Sequence, residues 1–482
     1  MTALSSPRER GAKENEPLAV TGERIPFGTV DEVSRHGLRR DEPESVHIEV
    51  HLPGPMDARR LRTALNEAMR QHPRILMREA RGGWHRRRYE WELGGTPDVE
   101  PVVCAPPGPD ALARARARAL TDCPSLKSSP PLRVEVVTTG TADGCVLLIT
   151  FHHTALDVLS CLRVLATAAE LYGGAHNSPL PAPVRLPAFG AGVDWPGPTR
   201  TGAARWARPA RIIPARPRVD AGPGNGLLLT ELALPGRAAG APYTVNDQLL
   251  VATALTVARW NRRRGALSSR PIRITMPVDD RPRGIDMPIG NGGRLVEAVI
   301  VPHDPPTAEA LRGERLAPEA VAALLLSTAR QTRALKATAG PQLGRGAALL
   351  TAPVLPVGLR AIVLRALRAA AAPWMSTVLL SNIGRVPYPL DFGDAGRATA
   401  VWFSAPAHMP RGLTLSTVGT GDRLHLALRW SRARFDDDSA AALARLFEEC
   451  LAATAEPGTA RFTRCGPGDP DSGSQETPGS QV

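Results

Sequence analysis

The stretch Cys145-Val146-Leu147-Leu148-Ile149-Thr150-Phe151 constrains the chain more than any other. Its apolar, β-branched run predicts a strand buried on both faces, which calls for cover on both sides of a sheet. The next residues read His152-His153-Thr154-Ala155-Leu156-Asp157. Beyond them Leu159, Leu162, Leu165, Ala169 and Tyr172 recur at helical spacing until Gly173-Gly174 supplies a stop. Two histidines therefore stand at a strand-to-helix corner. If the helix begins near the corner, His153 and Asp157 share a face one turn apart. Two readings fit this pattern. In one, the carboxylate organises the imidazole or holds the corner through a distant cation; in the other, ordinary histidines precede a helix whose first turn favours an Asp through its dipole.

The chain of 482 residues has room for two domains, and 43% hydrophobic residues provide for their cores. Periodicity is absent up to about residue 23 and after Pro457, which predicts tails over 1–23 and 458–482. Residues 181–226 are rich in Pro, Gly, Arg and Ala and predict a linker or an irregular crossover between lobes at 24–180 and 227–457. In the first lobe, Val46 to Leu52 alternates as a strand, Asp57 caps an amphipathic helix, and Trp84 to Trp91 reads as a further strand. A short helix over Asp110 to Leu120 and a strand beginning at Leu132 lead to the double histidine.

In the second lobe, Asn246 to Arg262 predicts a helix and Ile272 to Met276 a strand ending at Asp279-Asp280-Arg281. Leu349 to Trp374, broken by prolines and arginines, predicts a buried or half-buried helix rather than a membrane span. Ser376 to Asn382 predicts a buried strand. Leu413 to Trp430 predicts a hairpin turning at Gly419-Thr420-Gly421-Asp422, followed by a last helix from Asp436. Both halves mix strands with amphipathic helices, so the expected fold class is α/β with two lobes.

Composition narrows the function. The formal charge of +12 comes from 59 basic and 47 acidic residues, but the arginine runs lack the interleaved aromatics of a single-strand binder, and aromatics make up 4% of the chain. A solvated basic face suited to an acidic protein or a phosphate-bearing ligand is expected, with no nucleic-acid partner. The six cysteines, at 104, 123, 145, 161, 450 and 465, form no CxxC pair and no metal-ligand spacing. Reduced thiols in a cytoplasmic protein, with no metal, are expected. The polar N-terminus shows no secretory signal.

The corner HHTALDV resembles the HHxxxDG signature of the condensation-domain superfamily, the chloramphenicol acetyltransferase-like acyltransferases. Other segments agree in order. MDARRLRTALNEAMRQHPRIL is similar to the family's first helix and following strand, and MPVDDRPRG to its strand-end arginine segment. LLSNIGRVPYPLDFG resembles the SNxGR and DFG region, and RLHLALRWSRARFDDDS the closing strand and last helix. The resemblance runs from about Pro26 to Ala455.

It implies two acetyltransferase-like lobes in a V with a tunnel between them. It implies acyl transfer from a phosphopantetheine thioester, on a carrier protein or on CoA, to a small-molecule amine or alcohol, forming an amide or ester in specialised-metabolite biosynthesis such as nonribosomal peptide synthesis. An acyl or peptidyl carrier protein is then a possible partner, and no resident cofactor is expected. His153 would lie in the tunnel as general base or as an orienting contact for the tetrahedral intermediate. His152 would support it, and Asp157 would pair with Arg281. Ser381 and Asn382 either line the tunnel or cap a strand, and Asp391-Phe392-Gly393 would help hold the lobes together.

Two departures stand out. Val158 occupies the place of the motif glycine, where a β-branched residue would narrow the tunnel, and Asp394 follows the DFG where peptide-forming relatives often carry an aromatic. The absence of adenylation or carrier segments predicts a stand-alone enzyme. A non-catalytic domain that recruits a carrier protein or bridges pathway enzymes is the alternative that Val158 raises.

Overall fold

The computed structural model describes residues 22–37, 42–138, 144–180, 207–215 and, apart from eight positions, 224–455. The expected tails, but for Gly22 and Glu23, and most of the expected linker lie outside the described residues.

The first half opens with β1 (Arg24–Pro26) and α1 (Thr29–Gly37). β2 (Ser45–Leu52) leads to α2 (Ala58–Gln71), whose start is fixed by the Asp57 carboxylate accepting from the Arg59 and Arg60 amides. Three short strands follow: β3 (Met77–Glu79), β4 (Glu90–Leu93) and β5 (Val102–Cys104). Then come α3 (Ala111–Thr121), β6 (Leu132–Thr138), β7 (Cys145–His152) and α4 (Val158–Gly173). The strand expected from Trp84 is confined to β4, and Trp84 itself is 70% exposed.

β7 is buried along its whole length because it has two covers. Leu147, Ile149 and Phe151 enter the main core with α2 and α4, while Val146 and Leu148 pack with Ala111, Ala115 and Ala119 of α3. Side chains alternate across a strand, so one apolar run serves both layers. β7 lies between β2 and β6, antiparallel to both, with Ser45 opposite His152. The same alternation sends Val46, Ile48 and Val50 of β2 into the main core. Its other face buries Glu49, held by Arg116 at 2.8 Å, and His47, bonded to Ser404 at 2.6 Å.

The second half contains β8 (Asn225–Ala233), α5 (Val245–Arg262), β9 (Ile272–Asp279) and β10 (Gly293–Ile300). Four helices follow: α6 (Pro305–Arg312), α7 (Pro318–Ala337), α8 (Arg345–Leu350) and α9 (Val357–Ala371). The chain closes with β11 (Val378–Arg385), β12 (Ala400–Ser404), β13 (Leu413–Thr420), β14 (Arg423–Ser431) and α10 (Asp437–Ala455). The hairpin between β13 and β14 turns at Gly421, whose φ of 61° suits a residue without a Cβ.

Six strands form one mixed sheet in the order β10-β9-β11-β13-β14-β8, and β12-β2-β7-β6-β5 form a second. A small third sheet, β1-β4-β3, stands beside them. Each large sheet has its own core, and the molecule is a mixed α/β protein.

The boundaries expected at 181–226 and 227–457 need correction. Ala210 and Ile212 are buried in the second core and β8 already begins at Asn225, so ordered structure reaches into the expected linker. β12 leaves the second half and pairs with β2, Val401 opposite Val50. Tyr388, Leu390 and Phe392 also enter the first core. The two halves are thus joined by exchange of chain, and Arg429 of β14 adds a buried clamp by donating to the Ser45 carbonyl at 2.7 Å.

Candidate active site at the double-histidine corner

β7 ends at His152, residues 153–155 turn, and Asp157 caps α4 in extended conformation, its carboxylate accepting from the Ser160 amide at 2.9 Å. His153 therefore precedes the helix and does not share a helical face with Asp157. The Leu156 carbonyl lies 3.1 Å from His153 Nδ1. A carbonyl can only accept, so Nδ1 carries the proton and Nε2 presents its lone pair. Among the described residues Nε2 has no hydrogen-bond partner, and the ring is half-buried. The His153 amide donates to the Glu44 carbonyl at 2.8 Å, tying the turn to the residue before β2.

His152 is buried, and its Nδ1 accepts from the Thr154 amide at 3.2 Å. Burial, reinforced by the neighbouring His153 and only partly opposed by Glu44, pushes its pKa down to about 4. It is therefore neutral near pH 7 and acts as a packed support beneath the corner.

Asp157 and Arg281 meet across the two halves, Oδ2 to Nη2, at 2.5 Å. Arg281 also reaches Asp279 at 2.6 Å and donates to the Pro288 and Gly290 carbonyls. Burial alone would lower the Arg281 pKa, and the two carboxylates raise it above its ordinary value. The segment 290–292 completes this joint. Asn291 Nδ2 donates to the carbonyls of His153 and Thr154 and to Asp31 of α1, at 3.0, 2.9 and 3.0 Å respectively. The Gly292 amide donates to Asp157 at 3.0 Å, and a Cβ on Gly292 would sit 2.0 Å from Arg281 Nε. Ser160 Oγ accepts from the Gly290 amide at 3.0 Å and donates to its carbonyl at 2.8 Å.

A second ionic group lies on the strand side of the corner. Glu44 Oε1 stands 3.1 Å from His408 Nε2, off the hydrogen-bond axis, and Glu42 lies 3.8 Å from Nδ1 of the same ring. Burial would raise the Glu44 pKa, but His408 beside it, with His153 and His152, brings it down to about 2. Burial would lower the His408 pKa, and the two glutamates raise it. Glu44, His408, Asn291 and Ser160 carried no signal in the sequence. The two glutamates and the histidine are far apart in the chain, and Asn291 stands in an irregular loop with no period to read.

The remaining expected residues divide. Val158 is the first helical residue of α4, only 9% exposed and packed in the first core; its backbone needs no glycine. Ser381 and Asn382 lie on β11, where Asn382 bonds Asn246 at 3.2 Å and accepts from the Gly384 amide at 2.9 Å. Phe392 is buried against Tyr172 of α4, and the Asp391 carboxylate accepts from the Gly393 amide at 2.9 Å. A Cβ on Gly173 would approach the Gly393 nitrogen to 2.4 Å, so the 391–393 loop seats directly on the end of α4. Asp394, in the place of the aromatic, pairs with Arg60 at 2.9 Å. Among the described residues no cluster of His, Cys, Asp and Glu has the form of a metal site, and no helix is long and apolar enough to cross a membrane.

No family model matches the chain. Two uncharacterized proteins from different strains of Mycobacterium tuberculosis are each 28% identical over 432 residues, covering 84% of this chain and 94% of theirs. Among solved structures, the first condensation domain of the CDA synthetase superposes with a TM-score of 0.58 at 16% identity, covering 91% of this chain and 98% of that one. A starter condensation domain of rhizomide synthetase, a mutant in complex with C8-CoA and Leu-SNAC, gives 0.57 at 14% identity, over 90% and 94%. The trichothecene 15-O-acetyltransferase from Fusarium sporotrichioides gives 0.58 at 13% identity, over 89% and 95%.

Proposed function

We propose that this chain, whose fold is that of the condensation-domain superfamily, is a condensation-type acyltransferase. It moves an acyl group from a pantetheine thioester, on CoA or a carrier protein, to an amine or alcohol in a specialised-metabolite pathway. One observation carries this reading: His153, at the turn after β7, is held through Nδ1 so that Nε2 is the basic nitrogen.

In the proposed reaction His153 Nε2 takes the proton of the acceptor N–H or O–H as the acceptor's lone pair attacks the thioester carbonyl carbon. The C–N or C–O bond forms and a tetrahedral intermediate carries the oxyanion. Its collapse breaks the C–S bond, and the imidazolium returns its proton to the leaving sulfur. His152 backs the turn as a neutral ring. The Asp157–Arg281 pair and Asn291 hold the two halves at the corner, and the acyl and acceptor groups reach His153 through a tunnel between them.

Complexes of a relative with C8-CoA and Leu-SNAC support a thioester donor and an amino acceptor as the first substrates to try. Val158 in regular helical backbone, packed into the core, gives no support to a non-catalytic role. The test is mass spectrometry of the purified protein with acyl-CoA and acyl-pantetheine thioesters against amines and alcohols. An acceptor gaining the acyl mass, with release of the free thiol, is the expected result. Thioesters left intact across acyl chain lengths and acceptor types would overturn the assignment.

A further inference from the structure

Helix α9 is turned inside out. Its Arg360 is 3% exposed, fixed by Glu32 of α1 at 3.0 Å and by the carbonyls of Thr351, Ala352 and Arg87, while Val357 and Ala361 share that covered face. Leu359, Ile362 and Val363 stand away from that face, and Leu367 lies two turns beyond Arg360, past its cover, all at 41–63% exposure. Spacings of three and four join the four side chains into one apolar stripe along the helix. Water selects the reverse arrangement, with the guanidinium outside and the aliphatic chains inside. The apolar surface extends through Leu349 and Val354, exposed 78% and 76%.

Both ends of the stripe carry an exposed indole. Trp84, 70% exposed, accepts the Gly358 amide on its backbone carbonyl at the start of α9, and Trp374, 42% exposed, stands three residues past its end. The charge is one-sided as well: apart from the Glu32-bound Arg360, residues 320 to 390 hold six arginines, one lysine and no acidic residue, with Arg365 and Arg368 on α9 itself.

We propose that the α9 face seats the protein on the surface of an anionic lipid bilayer. The stripe enters the boundary between headgroups and acyl chains, the flanking tryptophans lie at headgroup level, and the surrounding basic residues meet the lipid phosphates. The all-basic charge favours an anionic surface, and flanking tryptophans are the side chains that a membrane–water boundary selects. This is seating on one leaflet, compatible with the lack of a membrane-crossing helix among the described residues.

The experiment is co-sedimentation of the full chain with phosphatidylcholine vesicles, with and without phosphatidylglycerol, at low and high salt. The expected result is binding to the anionic vesicles, weakened by salt, and reduced more than about tenfold in the Ile362→Glu/Leu367→Glu variant. Both positions are exposed, so the variant should melt as the wild type does, and Val99→Glu, on the loop before β5, should bind normally. Quenching of wild-type tryptophan fluorescence by brominated lipid gives a readout independent of any variant. Three results would overturn the proposal: no binding to either vesicle, undiminished binding by the double variant, or hydrogen-exchange protection of side-facing segment 359–367 by another part of the chain or by an acidic protein where lipid gives none. None of these readouts depends on turnover, so the outcome is separate from that of the acyl-transfer assay.

Discussion

A single backbone carbonyl, that of Leu156, sets the chemistry of His153 by fixing which ring nitrogen is protonated. Its neighbours can be tested through pH and charge. The His152 pKa is lowered from an ordinary 6.5 to about 4, so the unfolded chain takes up the proton first. Stability from this group is complete above pH 6.5 and is lost as pH falls toward 4, by roughly 3 kcal/mol over the full interval. Denaturant unfolding at pH 7 and pH 4.5 should show a smaller loss in His152→Gln than in the wild type. His408 has the opposite sign: its raised pKa gives stability that is complete below about 6.5 and is lost as pH rises through its folded value. Arg281→Met should cost about 3 kcal/mol, since it leaves Asp157 and Asp279 facing each other without their shared cation. The double histidine was legible as a corner, and the Asp157–Arg281 pairing came from resemblance. Asn291 and the Glu44–His408 group were not legible, because their partners are brought together only by the fold.

Among the elements, β7 was the most readable, since one unbroken apolar run states that both faces are covered. Phe151→Ala, deep in the first core, should lower stability by about 3–5 kcal/mol in denaturant titration. The end of α4 is a backbone contact and not a side-chain one. Gly173→Ala should destabilise by about 1–3 kcal/mol, because its new methyl meets the backbone of Phe392 and Gly393. The Trp84 to Trp91 expectation failed because aromatic content raises strand propensity without saying where pairing begins; only Glu90–Leu93 found partner strands. α9 was expected to be buried or half-buried. Its apolar content was read correctly, but composition does not say which face is covered, and Arg360 took the protein side through Glu32.

The arrangement of the two halves was the least legible feature. Order along the chain predicted two lobes joined by a linker or an irregular crossover, and it did not announce that β12 crosses to the first sheet or that residues 386–395 fill the first core. Pairing between strands 350 residues apart has no local signature, so no periodicity announces it. Arg281, Asn291 and His408 of the second half stand around a turn that belongs to the first, which makes the corner a joint between halves. Acyl transfer by His153 at this joint is read by single-turnover assays of wild type and His153→Ala with a pantetheine thioester and an accepted acceptor. The expected result is a fall of about 10²–10⁴-fold in the transfer rate with an unchanged melting temperature. A His153→Ala protein that transfers the acyl group as fast as the wild type would contradict it.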